Sequence, residues 1–222
     1  MSKVIGIDLG TTFSAIASLD DLGNPEVLAS IEDNRKITAS AIYINGNNVT
    51  VGDKALNHIK EEPKKVVLQT KREMENDVVY SVDHGKWTDD KDLVDAYTPA
   101  QVSALILKKL KDYTTDVKKA VITVPAMFAE KARQATLDAA KLADLEVIEL
   151  INEPTAAVLH YASLPGVEVG GRVMIFDLGG GTFDVTFAEV KNKKVDVLTS
   201  RGDKYLGAVS YTHLTLPTKR IV

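Results

Sequence analysis

Two carboxylates and three consecutive glycines lie close together in the stretch D-L-G-G-G-T-F-D, residues 177–184. The apolar run 173–176 before it is typical of a strand buried on both faces, and residues 185–188 resume the apolar pattern. Glycines let an anionic ligand approach backbone N–H groups closely, which favours a phosphate-binding loop. Asp177 and Asp184 place negative charge on either side of that loop, so we expect a cation between protein and phosphate. Mg²⁺ suits this chemistry because carboxylates, water and substrate phosphates commonly hold it together.

A similar pattern occurs near the N-terminus, where two predicted strands flank a turn of Gly10, Thr11 and Thr12. Asp8 holds the same place before this turn as Asp177 does before the glycine loop. The long separation of the two aspartates is typical of duplicated halves of one enzyme. We therefore expect the two loops to face each other and to clamp one nucleotide. Ordinary hairpin turns would account for the Asp and Gly residues, but neither for the threonines nor for the repetition.

The composition limits the classes of function to be considered. The 222 residues are 45% hydrophobic and 26% charged, as in soluble globular proteins, and the net charge of −4 gives no basic footprint for nucleic acid. The absence of cysteine excludes a disulfide scaffold and thiol chemistry. The sequence shows neither a secretory signal pattern nor an apolar run approaching the roughly 20 residues of a membrane span. We therefore expect a cytoplasmic protein that binds neither nucleic acid nor membranes.

Helix and strand signals alternate between the two loops. Residues 98–101, T-P-A-Q, combine a Thr cap, a Pro at the first helical position and a Gln three residues after the cap, which predicts a helix start. A strand at 118–124, an Ala-rich helix at 129–143 and a strand at 146–151 follow. A third helix is predicted over 153–163. This alternation indicates an α/β layer.

The region before that alternation is predicted to be less regular. Apolar segments at 41–44 and 49–51 flank N-G-N-N, a strong hairpin signal. Residues 53–62 have helical spacing up to a proline. The polar segment 73–95 lacks clear periodicity, and we interpret it as a hairpin or loop excursion in which Trp87 is a packing residue.

Two charged residues in this part of the chain could act on the nucleotide. Glu153 stands at the carboxyl end of a strand, and ligands of open α/β sheets bind beside such ends, so Glu153 belongs near the two Asp-bearing loops. Glu153 could also serve as a helix cap beside Pro154. The two roles are compatible, and the residues alone do not decide between them. Lys71 stands in the polar run K-R-E-M-E, and from this local pattern we interpret it as a solvated lysine.

Six sequence blocks follow one another along the chain between residues 5 and 207: I-G-I-D-L-G-T-T-F-S, A-V-I-T-V-P-A, R-Q-A-T, I-N-E-P-T-A-A, D-L-G-G-G-T-F-D and G-D-K-Y-L-G. Together they resemble the ATPase domain of the seventy-kilodalton heat-shock chaperone family, the DnaK type, within the actin and sugar-kinase superfamily. The resemblance implies an α/β protein with the actin-like ATPase (ribonuclease H-like) fold, two-lobed, with the second lobe truncated. The first lobe would span 1–168 with an inserted subdomain at 37–97, and the second lobe would begin at 169–207.

The resemblance also implies which residues bind the ligands. Thr11 and Thr12 would hold the β- and γ-phosphates of ATP, and the second glycine loop would cradle phosphate from the other lobe. The nucleotide-binding set is then Gly10, Thr11, Thr12, Phe13, Gly179, Gly180, Gly181 and Thr182. The cations would be magnesium and potassium, and their ligand set Asp8, Asp177 and Asp184.

Catalytic and relay roles follow from the same resemblance. Lys71 would lie near the γ-phosphate, and Glu153 would help to position the attacking water. Pro125 and Arg133 would relay the nucleotide state to a peptide-binding domain. Such roles suit phosphoryl transfer, which needs positioning and charge neutralisation more than covalent help. The catalytic set is Lys71, Glu153, Asp177, Asp8 and Thr182.

Residues 208–222 depart from the family pattern and resemble the translation of a sequencing adapter, so we interpret them as a non-native tail. The adenosine pocket and a peptide-binding domain would lie beyond the family-like region. Strands 173–176 and 185–188 would then expose apolar faces, so we expect the isolated fragment to associate or to dissolve poorly, and to be inactive on its own.

The sequence thus predicts the N-terminal fragment of a stress-response chaperone that binds and hydrolyses ATP to drive cycles of unfolded-protein binding and refolding. The expected partners are ATP and ADP, unfolded polypeptide clients through a C-terminal domain, a J-domain co-chaperone and a nucleotide-exchange factor. Two alternatives share the fold: an actin-like nucleotide-dependent switch or assembly protein without chaperone activity, and a sugar kinase, for which no sugar site is recognisable. Fold alone does not separate these alternatives.

Overall fold

The computed structural model describes residues 3–191 and 194–208. Its strands are β1 (Lys3–Asp8), β2 (Phe13–Leu19), β3 (Pro25–Val27), β4 (Thr38–Ala39), β5 (Ala41–Asn45), β6 (Asn48–Val51), β7 (Val66–Leu68), β8 (Val79–Ser81), β9 (Lys86–Thr88), β10 (Ala96–Tyr97), β11 (Val117–Val124), β12 (Glu146–Asn152), β13 (Gly171–Leu178), β14 (Phe183–Lys191) and β15 (Lys194–Asp203). Its α-helices are α1 (Asp53–Leu56), α2 (Pro99–Lys111), α3 (Glu130–Leu142) and α4 (Glu153–Ser163), and short 3₁₀ turns lie at Pro63–Lys65 and Thr70–Glu73.

The largest sheet has the strand order β12-β11-β1-β2-β3, with β4 on the side of β2. Strands β1, β11 and β12 run parallel, whereas β2 is antiparallel to β1. The carboxyl ends of the parallel strands therefore meet at one edge, where Asp8 is opposite Thr123 and Val124 is opposite Asn152. This is the edge at which ligands bind in α/β proteins. The chain has the predicted mixed α/β character.

The core lies between this sheet and the helices. Along β1, Ile5 and Ile7 are buried while their neighbours are exposed, as period-2 alternation requires. Leu107 and Leu110 of α2 are fully buried in the same cluster, and each such side chain contributes about 1.5–3 kcal/mol of burial free energy. Helix α3 joins the cluster through small alanines, such as Ala139.

Helix α2 begins as the sequence predicts. The Gln101 amide donates to Thr98 Oγ1 at 3.2 Å, and the Thr98 amide donates to Gln101 Oε1 at 2.8 Å. Two N–H groups that the first helical turn would leave unpaired are thereby satisfied. Pro99 occupies the first helical position, where its missing N–H costs nothing.

Two small sheets, β6-β5-β7 and β10-β8-β9, fill the region 37–97. The predicted hairpin around N-G-N-N is confirmed as β5 and β6. Trp87 packs edge-on against Tyr80 at 5.3 Å, which confirms its packing role. The predicted helix over 53–62 is wrong beyond Leu56, because the next amides bond to the third preceding carbonyl and form turns instead.

A separate antiparallel sheet is formed by β13, β14 and β15. One face of β14 is buried through Thr186, Ala188 and Val190. The opposite face of the sheet is open, and Met174 and Phe176 of β13 are 49% and 62% exposed there. The interpretation of 173–176 as a strand buried on both faces is therefore wrong within the described residues, whereas the expected exposed apolar face is confirmed.

Within the described ranges, no helix combines the length and the apolar character needed to cross a membrane. The predicted non-native tail, 208–222, lies outside the described residues except for Ala208.

Candidate functional site

A cavity of about 510 Å³ opens at the carboxyl edge of the large sheet and extends to the loop between β13 and β14. It brings together most of the residues that the sequence predicts for the site. Those that line it are Asp8, Gly10, Thr11, Thr12, Phe13, Lys71, Glu153, Asp177, Gly179, Gly180 and Thr182. The remaining lining residues were not predicted from the sequence; they are Thr123, Pro154, Ala156, Ala157, Ile175 and Phe176.

The loop between β1 and β2 is held in place by its own backbone and by two serines. A Cβ atom at Gly10 would lie 1.9 Å from the Phe13 carbonyl oxygen, so only glycine fits this turn. The Gly10 amide donates to Ser14 Oγ at 3.1 Å, and Ser40 Oγ donates to the Gly10 carbonyl at 2.8 Å. The Ser40 amide donates to the Thr12 carbonyl at 2.8 Å. Ser40 was not predicted from the sequence, because it lies outside the motif and reaches the loop only through the fold.

The hydroxyls of Thr11 and Thr12 are shielded from solvent. Among the described residues neither Oγ1 atom has a hydrogen-bond partner. A buried polar atom left unpaired costs about 1–3 kcal/mol. Both threonines line the cavity, so a polar ligand bound beside them would supply the missing hydrogen-bond partners.

The glycine loop between β13 and β14 meets this wall directly. A Cβ atom at Gly180 would lie 2.1 Å from Thr12 Oγ1, and one at Gly181 would lie 2.7 Å from Thr11 Cγ2. The Gly179 amide donates to the Thr182 carbonyl at 2.9 Å and closes the loop. The two loops thus face each other, as the repeated motif predicts, and their approach requires glycine.

Lys71 and Glu153 form a buried ion pair in the cavity, with side chains 9% and 15% exposed. Lys71 lies in the 3₁₀ turn Thr70–Glu73, and Glu153 is the first residue of α4. The interpretation of Lys71 as a solvated lysine is therefore wrong. The capping alternative for Glu153 is also wrong, because the helix cap is Asn152 and the Glu153 carboxylate pairs with Lys71 instead.

The carboxylates of the cavity influence one another. Burial raises the pKa of Glu153, and the nearby Asp8 and Asp177 raise it further, while Lys71 opposes the shift. Burial likewise raises the pKa of Asp177, while Lys71 opposes the shift and Asp8 adds to it. Thr123 Oγ1 donates to Asp8 Oδ1 at 3.0 Å across the β1–β11 pair. One lysine thus faces three carboxylates, which favours a further cation.

The donor set fits magnesium bound together with phosphate. Within the described ranges, no group of three or more His, Cys, Asp or Glu side chains forms a direct metal cage. Asp8 and Asp177 nevertheless line the same cavity as Thr11 and Thr12. Mg²⁺ usually takes one or two carboxylates and completes its shell with water and phosphate oxygens. These residues could hold it in that manner.

Three predicted residues lie behind the main cavity. Asp184 and Pro125 line a smaller neighbouring cavity that also touches Lys71. Asp184 is 5% exposed, and its Oδ1 atom has no hydrogen-bond partner in the part of the chain that the structure describes. Gly181 lies against Thr11 and Arg72.

Arg133 does not line the cavity but contacts a residue next to it. Its Nε donates to the Phe128 carbonyl at 3.1 Å, and its Nη2 donates to Asn152 Oδ1 at 2.6 Å. Since Asn152 precedes Glu153, Arg133 joins the loop after β11 to the start of α4.

Comparison with protein-family models gives a match to the family described as Hsp70 protein, over residues 4–216. The matched region contains both glycine-bearing loops, the Lys71–Glu153 pair and the helices between them.

Proposed function

The chain belongs to the Hsp70 family, and on that premise we propose that it is the nucleotide-binding region of a chaperone that hydrolyses ATP to drive binding and refolding of unfolded proteins. Members of this family are chaperone-type ATPases with an actin-like fold. Membership therefore favours the chaperone over the actin-like assembly protein and the sugar kinase.

One observation carries the assignment of the nucleotide site. Two glycine-bearing loops close on one cavity, and the wall they share contains the unpaired hydroxyls of Thr11 and Thr12. Phosphate oxygens would accept hydrogen bonds from both hydroxyls and would remove the cost of their burial. The backbone N–H group of Gly180, which lines the same cavity, adds a further donor of the kind that phosphate loops use.

The charges of the cavity suit phosphoryl transfer. Lys71 supplies positive charge beside the site of the transferred phosphate, and Asp8 and Asp177 would hold Mg²⁺, which neutralises phosphate charge when bound. Glu153, fixed by Lys71, is placed to accept a hydrogen bond from an attacking water. Its raised pKa makes its carboxylate a better proton acceptor than an exposed glutamate. Asp184 is proposed to contribute to a cation site.

Client polypeptides, a J-domain co-chaperone and a nucleotide-exchange factor complete the proposal. Pro125 and Arg133 are the proposed relay residues. Pro125 lines the small cavity that Lys71 also lines, and Arg133 binds Asn152, the residue before Glu153. Phosphate binding would then alter their contacts through the Lys71–Glu153 pair.

The site is tested by calorimetric titration of the chain with two probes, MgATP and magnesium tripolyphosphate. The second probe reports the phosphate site without any contribution from adenosine. We expect Thr12→Val to weaken binding of both probes about tenfold or more, because one hydrogen bond to a charged group contributes about 1.5–3 kcal/mol. Binding should also be lost when Mg²⁺ is chelated.

Thr50→Val is the matched control, because Thr50 lies on β6 and not among the residues that line the cavity. It should bind both probes as the unaltered chain does. A chain that binds neither probe, or a Thr12→Val variant with unaltered affinity, would contradict the proposed site.

A further inference from the structure

Arg72 follows Lys71 in the same 3₁₀ turn but contacts the glycine loop between β13 and β14. Its Nε donates to the Gly181 carbonyl oxygen at 3.1 Å, and its Nη2 donates to the same oxygen. Lys71 meanwhile pairs with Glu153, the first residue of α4, on the side of the large sheet. Two adjacent residues of one short turn thus contact both sides of the cavity.

The guanidinium of Arg72 is itself held in place. Its Nη1 donates to Gln69 Oε1, and its central carbon lies 5.6 Å from the ring centroid of Tyr205. A planar guanidinium is suited to such a place, because it can donate from several nitrogens and lie over an aromatic ring at the same time. The orientation of Arg72 is therefore fixed from its own turn and from the segment after β15.

The glycine loop is also supported from its other end. The Ala208 amide donates to the Gly179 carbonyl at 3.0 Å. A Cβ atom at Gly207 would lie 2.6 Å from the Gly180 carbonyl oxygen, so this segment lies directly on the loop. Arg72 is the side chain outside the β13–β15 sheet that hydrogen-bonds to the Gly181 carbonyl.

We propose that Arg72 is a positioning residue that holds the glycine loop 179–181 against the Thr11–Thr12 wall by binding the Gly181 carbonyl. It acts on phosphate binding through the loop and does not line the cavity itself. This role rests on the proposed function, because it takes the cavity to be a phosphate site. It also explains why the turn carries two consecutive basic residues, one for each side of the cavity.

The first test needs no ligand. Hydrogen exchange of the amides in 177–184 is compared between the unaltered chain, Arg72→Ala and Arg72→Lys. We expect about tenfold faster exchange in Arg72→Ala, as fits the loss of a charged hydrogen bond. Arg72→Lys should recover only part of the protection, because an ammonium lacks the fork that binds one carbonyl twice.

Two controls separate positioning from general unfolding. Arg35→Ala removes an exposed arginine that pairs with Asp53 far from the loop, and it should leave exchange in 177–184 unchanged. Exchange in β1 and β11 should remain unchanged in the Arg72 variants. Unaltered loop exchange in Arg72→Ala would overturn the proposal.

The second test titrates the same variants with magnesium tripolyphosphate and MgATP. We expect Arg72→Ala to weaken both probes about tenfold, and Arg35→Ala to have no effect. If the unaltered chain binds neither probe while Arg72→Ala still accelerates loop exchange, the phosphate assignment fails and the contact of Arg72 with the loop stands. If the loop exchanges faster but both probes bind Arg72→Ala normally, the positioning role is overturned.

Discussion

The Asp184 carboxyl is buried at a position where its charge has little support. It is 5% exposed, and Oδ1 has no hydrogen-bond partner within the described residues. Burial raises its pKa, Asp177 raises it further, and Lys71 opposes the shift. The folded state therefore binds the Asp184 proton more tightly than the unfolded chain does. Below the pKa that the group has in the unfolded chain, Asp184 contributes its full stabilisation of the folded state. This contribution is lost as pH rises through the higher pKa of the folded state.

We predict that Asp184→Asn raises the free energy of unfolding at pH 7–8 by about 1 kcal/mol, since it removes a buried charge without changing the shape of the side chain. The gain should shrink as pH falls and vanish below about pH 3.9, where the carboxyl is protonated in both states. Urea unfolding across this pH range, without nucleotide, divalent cations or potassium, measures the difference. Asp196→Asn, at an exposed ion pair, should show no such trend. A gain independent of pH would contradict this explanation.

The sequence predicted which residues of the two loops lie at the cavity. It did not predict contacts between residues that are far apart in the chain. Asp8, Thr11 and Asp177 were found because turn chemistry depends on adjacent residues, so a repeated motif reveals it. The partner of Lys71 is Glu153, 82 residues away, and the polar neighbours of Lys71 concealed its burial. The family resemblance, and not the local pattern, directed attention to Lys71.

At the scale of secondary-structure elements, the helices with local start signals were predicted almost to the residue. Helix α2 begins at Pro99 behind its cap, as the T-P-A-Q pattern indicates. Helix α1 is shorter than its apolar spacing suggested, because spacing alone does not determine whether a segment continues as α-helix or turns. Strand β13 was found, but its burial was not, because burial depends on which elements pack on each face.

We predict that Thr98→Ala destabilises the protein by about 1 kcal/mol, because the Gln101 amide loses its acceptor at the start of α2. Thr98→Ser keeps the hydroxyl and should cost much less. Urea unfolding followed by circular dichroism measures both variants. Equal stability of Thr98→Ala and Thr98→Ser would show that the capping bond contributes nothing measurable.

At the scale of the whole molecule, the two glycine-bearing loops lie in sheets of similar strand order. Strands β1, β2 and β3 and strands β13, β14 and β15 each form an antiparallel series, and each series carries an Asp-Leu-Gly turn after its first strand. In the first sheet, β11 pairs along the outer edge of β1. Among the described residues β13 has no partner on the corresponding edge, so the second unit is the less covered one.

This exposed surface should govern the behaviour of the chain in solution. Met174 and Phe187 are cross-strand neighbours on the open face, and they are 49% and 45% exposed. Contiguous apolar patches of this kind promote association, and an unpaired strand edge adds to the effect. We predict concentration-dependent association of the chain in light scattering, and a clear reduction in the double variant Met174→Gln and Phe187→Gln. The control is Leu22→Gln, which alters an isolated apolar residue that is 87% exposed and should leave the association unchanged. If Leu22→Gln reduces the association as much as the double variant does, general surface polarity and not this face governs it.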